Sequence, residues 1–170
     1  MEGTKLNYPV MYTPKEPDYY LHRAFDKSES ISGTPFIGKG CTLNPRSKNV
    51  VIYSHNMKNG SMFKTLLSYN EKKFWEEHPV IRFDTLYEEA EYVIIAAFYI
   101  DVTPENGHFQ FYNFLNFDTR EEQEVFVEAC KTQSLYETEV NIESETNFVT
   151  LVTCSYHSLN GRFVIVAKKK

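Results

Sequence analysis

The sequence predicts a mainly β protein, a closed or nearly closed barrel carrying helical insertions, and three observations lead there. Apolar or alternating segments of strand length recur along the chain, at 49–54, 91–101, 148–154 and 162–168. Their β-branched and aromatic content is that of strands. Aromatic residues make up 15% of the chain, almost all of them Tyr and Phe, which suits a sheet that packs large side chains. Helical spacing surfaces only in isolated stretches between strands, and many strands with scattered helices fit a barrel with insertions.

Each element follows from local chemistry. From residue 8 to 40 the chain is rich in Pro and Gly and reads as short strands joined by turns, beginning with Tyr8-Pro9-Val10-Met11-Tyr12. Residues 49–54 form a buried strand that ends at His55. Ser61 then caps a helical segment over 62–69, where apolar residues recur at helical spacing. A second helical piece over 71–77 stops at His78-Pro79, because the residue before a proline is pushed out of the helical region. Two or three strands follow between Val80 and Val102, with 91–101 the strongest. Asp118 or Thr119 caps a further helix that runs to about Thr132, and the acidic residues of its first turn suit the helix dipole. Strands resume over 136–140, 148–154 and 162–168.

The bulk properties bound the function. The 170 residues read as a single domain, 1–170, large enough to bury a core. A net charge of −5 without a basic stripe argues against a nucleic-acid partner or an anionic membrane surface. The closing Lys168-Lys169-Lys170 reads as a solvated tail. The longest apolar run, Val93 to Ile100, is far short of the about 20 residues that span a bilayer, and no signal peptide opens the chain. Cys41, Cys130 and Cys154 lie far apart without a CxxC pair, which excludes a zinc ribbon or a thioredoxin-like site. Cys130 falls on a predicted helix and belongs to the core, whereas Cys41 lies in a Gly-rich loop with its state open. No metal or cofactor is implied.

The chemistry concentrates at Thr150-Leu151-Val152-Thr153-Cys154 and Arg162. The first segment delivers Cys154 at a strand end, residues 155–161 form a loop with an Asn-Gly turn signal, and Arg162 opens the next strand. If the two strands pair antiparallel, thiol and guanidinium emerge at the same end of the sheet. A fixed positive charge favours the thiolate, which is the nucleophile. For an isolated cysteine, burial in the core is the commoner fate. His55 changes the balance, because it too sits at the end of a buried strand and could join the same rim. His157 competes for the role of base, since the loop could bring it close to Cys154. His22, His78 and His108 fall in turns or at helix ends and read as surface or packing residues.

These residues carry a resemblance to the class B sortases, surface transpeptidases of Gram-positive bacteria, over nearly the whole chain. Asn7-Tyr8-Pro9-Val10-Met11, Tyr19-Tyr20-Leu21 and Gly33-Thr34-Pro35-Phe36 are similar to the family's early segments. Tyr53-Ser54-His55-Asn56-Met57 with Ser61-Met62-Phe63 resembles the segment of the catalytic histidine. Thr150 to Cys154 is similar to the TLxTC signature, and Arg162 stands where the essential arginine stands. The helix from about Thr119 to Thr132 resembles the insertion that separates class B from class A. The resemblance implies a closed barrel of about eight strands, with that helix inserted between the strands preceding the cysteine. Ser54 departs from the family's usual Gly but keeps a small residue. Tyr156 stands where some members carry an acidic residue, so a four-membered site with a carboxylate at that position is not supported. Sortases usually begin with a membrane anchor, which this chain lacks, so an extracellular domain without its anchor is expected. Contact with the membrane would come only through that anchor.

The resemblance also implies a reaction without cofactors. The substrate would be a secreted protein bearing a C-terminal sorting signal of the LPxTG or NPxTN type. Cys154 would attack the carbonyl of the signal's threonine, giving a thioacyl-enzyme. The amine of a peptidoglycan precursor, or a pilin lysine, would resolve it at the extracellular face of the plasma membrane or in the wall. His55 would act as general acid and base, and Arg162 would bind the substrate backbone and the developing oxyanion. Thr153, Ser155 and Tyr156 flank the nucleophile and are candidates for substrate binding. With ordinary pKa values of about 8.5 for Cys and 6.5 for His, the thiolate–imidazolium pair is roughly one per cent of the neutral pair. Two rival readings are a cell-wall cysteine transpeptidase or hydrolase of another type and a β-barrel binding module with a structural Cys154. The Gly-rich signature of L,D-transpeptidase-like enzymes is not seen around the cysteine.

Overall fold

A computed structural model describes residues 1–103, 109–138, 141 and 146–170. Six strands, β1 (Phe36–Ile37), β2 (Asn49–Tyr53), β3 (Val80–Arg82), β4 (Glu91–Asp101), β5 (Phe148–Cys154) and β6 (Gly161–Lys169), form one sheet in the order β1-β2-β5-β6-β4-β3. All neighbours are antiparallel except β2 and β5, which run parallel. The core strands β4, β5 and β6 are nearly continuous apolar runs because both sheet faces are covered.

The sheet corrects the expected closed barrel of about eight strands. Among the described residues there are six strands, and the edges β1 and β3 do not pair with each other. Both edges are short, two and three residues. The Tyr8 to Tyr12 segment contributes a single bridge, Met11 to Phe36, and Pro9 within it has no N–H to extend a ladder. Residues 136–138 are not a strand, since Thr138 Oγ1 bonds across to the Ile95 carbonyl instead. The rest of that expected strand, residues 139–140, lies outside the described residues, as does His108.

Register sorts the side chains onto two faces. Cys154 pairs with Arg162, Val152 with Val164 and Tyr53 with Val152, so these residues share one face, together with Phe148. Over that face lies α2 (Arg120–Gln133), whose Phe126 ring packs 5.4 Å from Phe148 and 5.6 Å from Phe114. Thr119 Oγ1 accepts the Glu122 N–H, and Glu122 Oε2 accepts the Asp118 N–H. Both acceptors satisfy N–H groups at the start of α2, in the manner of a capping box. On the opposite face, with Ile52, Leu151 and Ile165, sits the 3₁₀ helix Phe63–Asn70, burying Phe63, Leu66 and Tyr69. Ser61 does not cap it. Its hydroxyl donates to Asn59 Oδ1, and Met62 intervenes with φ 55°. The short α1 (Lys72–Glu77) ends at His78, ahead of Pro79.

Candidate active site

Three backbone segments meet at one end of the sheet. Cys154 closes β5, and Arg162, the second residue of β6, lies directly opposite it, which places thiol and guanidinium side by side on the face shared with α2. Tyr53 is the last paired residue of β2, level with Val152. Two residues later, His55 reaches the level of Cys154. The connection stays tight beyond the strand, for Ser54 N–H donates to the Val152 carbonyl at 3.2 Å and Asn56 Nδ2 to the Cys154 carbonyl at 2.9 Å. Thr153 Oγ1 donates to the Ser54 carbonyl at 2.9 Å. His55, Cys154 and Arg162 are each half-buried.

The imidazole of His55 is held from the N-terminal region. Its Nε2 lies 2.8 Å from the Leu21 carbonyl oxygen. A carbonyl only accepts, so Nε2 carries the proton and Nδ1 is left for other chemistry. Leu21 belongs to the 3₁₀ turn Tyr19–His22, and the His22 ring lies alongside that of His55, with centroids 5.4 Å apart. Arg162 Nη1 donates to the Gly161 carbonyl, and no ion pair holds the guanidinium among the described residues. Its charge is felt at Tyr53. Burial pushes that phenol well above its ordinary range, and the nearby guanidinium pulls the other way.

The remaining candidates fall elsewhere. Thr153 is buried on the opposite face, its hydroxyl committed to Ser54. Ser155 is buried with Oγ 3.0 Å from His157 Nδ1. Of the three flanking residues only Tyr156, 78% exposed, reaches solvent. His157 packs its ring 5.1 Å from Tyr99, which stacks edge-on against Phe163. Phe163 pairs with Thr153, so His157 lies on the side away from Cys154. His78 bonds through Nδ1 to the Glu2 carbonyl and packs on Phe74. From the sequence His22 reads as a surface or packing residue, and Leu21 and Asn56 appear only within segments of the resemblance, with no role of their own. His22 carried a signal in its position beside Tyr19-Tyr20-Leu21, but a backbone carbonyl leaves no signature in a sequence.

The three cysteines are all free thiols and differ in exposure. Burial pushes the Cys130 thiol far above its ordinary range. It also raises Cys41, against the Val51 N–H that donates to its Sγ and the charge of Arg46. Cys154 alone is partly exposed. Among the described residues, no group of three or more His, Cys, Asp or Glu could hold a metal ion, and no helix is long and apolar enough to cross a membrane.

No protein-family model matches the chain. Its sequence is 30% identical over 167 residues to sortase B of Listeria monocytogenes, covering 97% of this chain and 65% of that protein. It is 29% identical over 170 residues to sortase B of Staphylococcus aureus, covering 99% of this chain and 67% of that protein. The chain thus spans about two thirds of the length of these relatives. A Listeria sortase B structure superposes with a TM-score of 0.83 at 30% identity, over 98% of this chain and 89% of that one. A substrate complex of Staphylococcus aureus sortase B superposes with 0.86 at 27% identity, over 99% and 76%. Clostridium perfringens sortase B does so with 0.87 at 27%, over 99% and 90%. Agreement in sequence and in fold along almost the entire chain leads to one conclusion: this chain belongs to the class B sortases.

Proposed function

We propose that the chain is a cysteine transpeptidase of the sortase type, acting on a C-terminal sorting signal of a secreted protein. The observation that carries this reading is the register of β5 and β6, which sets Cys154 directly opposite Arg162 with His55 at the same rim. The thiolate of Cys154 attacks the carbonyl carbon of the signal's threonine, and the tetrahedral oxyanion forms beside Arg162. Among the described residues the guanidinium has no carboxylate partner, so it is placed to receive that charge, and its strength there grows as substrate excludes water. Collapse of the intermediate breaks the peptide bond and leaves a thioester on Cys154, while His55 gives its proton to the departing amine. An incoming amine then attacks the thioester and gives a proton to His55, expelling the Cys154 thiolate and restoring the imidazolium beside it.

Staphylococcus aureus sortase B has been solved with a substrate, and a sortase B has been solved with Gly3. These complexes support a sorting-signal peptide as donor and a glycine amine, of the kind a peptidoglycan precursor would offer, as acceptor. A pilin lysine is the other amine the chemistry admits. LPxTG and NPxTN are the two signal types to try, and the site of action is the outer face of the plasma membrane or the wall, with an anchor holding the full-length protein there. The test is to incubate the protein with both types of peptide, with and without triglycine. Cleavage after threonine and a ligated product only when triglycine is present are expected. Cleavage of neither peptide, or turnover that survives loss of the Cys154 thiol, defeats the reading.

A further inference from the structure

The Tyr19–His22 turn is clamped by the segment that follows it. Tyr20 carbonyl accepts the Thr34 N–H at 3.0 Å, His22 carbonyl accepts the Ser30 N–H at 3.0 Å, and Thr34 Oγ1 donates to the Arg23 carbonyl at 2.9 Å. Between the carbonyls of Tyr20 and His22, that of Leu21 is turned instead toward His55 Nε2, 2.8 Å away. Gly33 lies directly behind it with φ +59°. A Cβ at this position would stand 2.3 Å from the Leu21 oxygen and 2.7 Å from the Tyr20 oxygen. Both are backbone atoms, so the carbonyl itself would have to move.

We infer that Gly33 is a positioning residue for His55: its bare Cα lets the Leu21 carbonyl fix the imidazole as the Nε2–H tautomer, so that Nδ1 is the nitrogen that moves protons. This inference rests on the transpeptidase reading only for the identity of the reaction. In the forward step the imidazolium gives its Nδ1 proton to the leaving amine and becomes the Nε2–H imidazole, with the Leu21 hydrogen bond kept throughout. In the return step Nδ1 takes a proton from the incoming amine. A ring free to flip or change tautomer would present the wrong nitrogen for part of the time, and misplacement of about 1 Å costs about 100-fold in rate.

The test is ¹⁵N NMR of the histidine rings at about pH 9, above the ordinary imidazole pKa of about 6.5, with the His55 signals assigned by their loss in His55→Gln. In the unsubstituted protein Nε2 should show the protonated, pyrrole-type shift and Nδ1 the unprotonated one, whereas the reverse pattern overturns the inference without need of any variant. Gly33→Ala should then give mixed tautomers and lower kcat on a sorting peptide about 100-fold with KM nearly unchanged. Gly60→Ala is the matched control, since Gly60 also has positive φ, +85°, but nothing within 4 Å of a new Cβ. It should keep both the tautomer and kcat. A Gly33→Ala protein that folds, keeps one tautomer and turns over normally overturns the positioning role. If the unsubstituted protein cleaves no sorting peptide yet shows the Nε2–H tautomer, mixed by Gly33→Ala, the positioning stands and the transpeptidase reading falls.

Discussion

Cys130 and Cys154 are the same side chain on the same side of the sheet, and the fold places them in opposite environments. Cys130 sits in the buried stripe of α2 with Phe126 and Val127, where no charge offsets the cost of a thiolate, and burial alone holds it protonated. Cys154 sits at the sheet's rim, half-exposed, opposite a cation that no carboxylate claims among the described residues. The difference lies in position along the strand and not in residue type. A strand interior supplies packing on every side, whereas a strand end supplies a solvent-facing edge and whatever the neighbouring strand brings into register.

The sharpest way to break this comparison is to remove each partner at the rim. Cys154→Ala should abolish cleavage of a sorting peptide altogether, with the melting temperature nearly unchanged because the thiol is not part of the packed core. Arg162→Ala should lower kcat/KM by about 100- to 1,000-fold, the loss typical of one oxyanion donor, again with the fold intact by circular dichroism. If Arg162→Ala instead unfolds the protein, the guanidinium serves structure and the contrast with Cys130 collapses.

Thiol labelling compares the cysteines directly. In the native protein one equivalent of a thiol reagent should react, and peptide mapping should find it on Cys154. Cys41 and Cys130 should react at least about a thousandfold more slowly, since exposing them requires unfolding that costs about 5 kcal/mol or more. Two or three equally fast thiols would show that burial does not separate them.

Much of this contrast was legible in the sequence, and the unread part has physical reasons. Strand β5 with Cys154 at its end, β6 beginning by Arg162, and α2 opening at Thr119 all follow from periodicity and end chemistry that act over a few residues. Whether strand edges meet does not, because closure depends on tertiary approach; Pro9, which lacks an N–H, is a local mark against a ladder at Tyr8 to Tyr12, but the short β1 carries none. The environment of His55 was hidden for a related reason. Leu21 and His22 lie far from it in the chain, and one of them acts through its backbone. His157, close to Cys154 in sequence, was the visible competitor, yet the loop turns it onto Tyr99 on the other face.

Smaller effects should appear in α2, where substitutions change stability and leave chemistry alone. Cys130→Ser places a hydroxyl among Phe126, Val127 and the sheet, and an unsatisfied buried hydroxyl costs about 1–3 kcal/mol. The expected result is a lower denaturation midpoint with unchanged slope and an unchanged rate per folded molecule. Thr119→Ala removes the acceptor for the Glu122 N–H and should cost about 1 kcal/mol, less if Glu122 keeps its bond to the Asp118 N–H. Because α2 covers the face that carries Cys154, fraying of its first turn also tests how far the rim depends on the helix above it. Thr119 lies at the start of α2, whose firm anchorage on the sheet is Phe126 against Phe148, at the end of β5 remote from Cys154. Peptide cleavage in Thr119→Ala at wild-type rate, alongside the lowered midpoint, would show that the rim is organised by strand register and not by the helix. A fall in kcat matching that of Arg162→Ala would show the reverse.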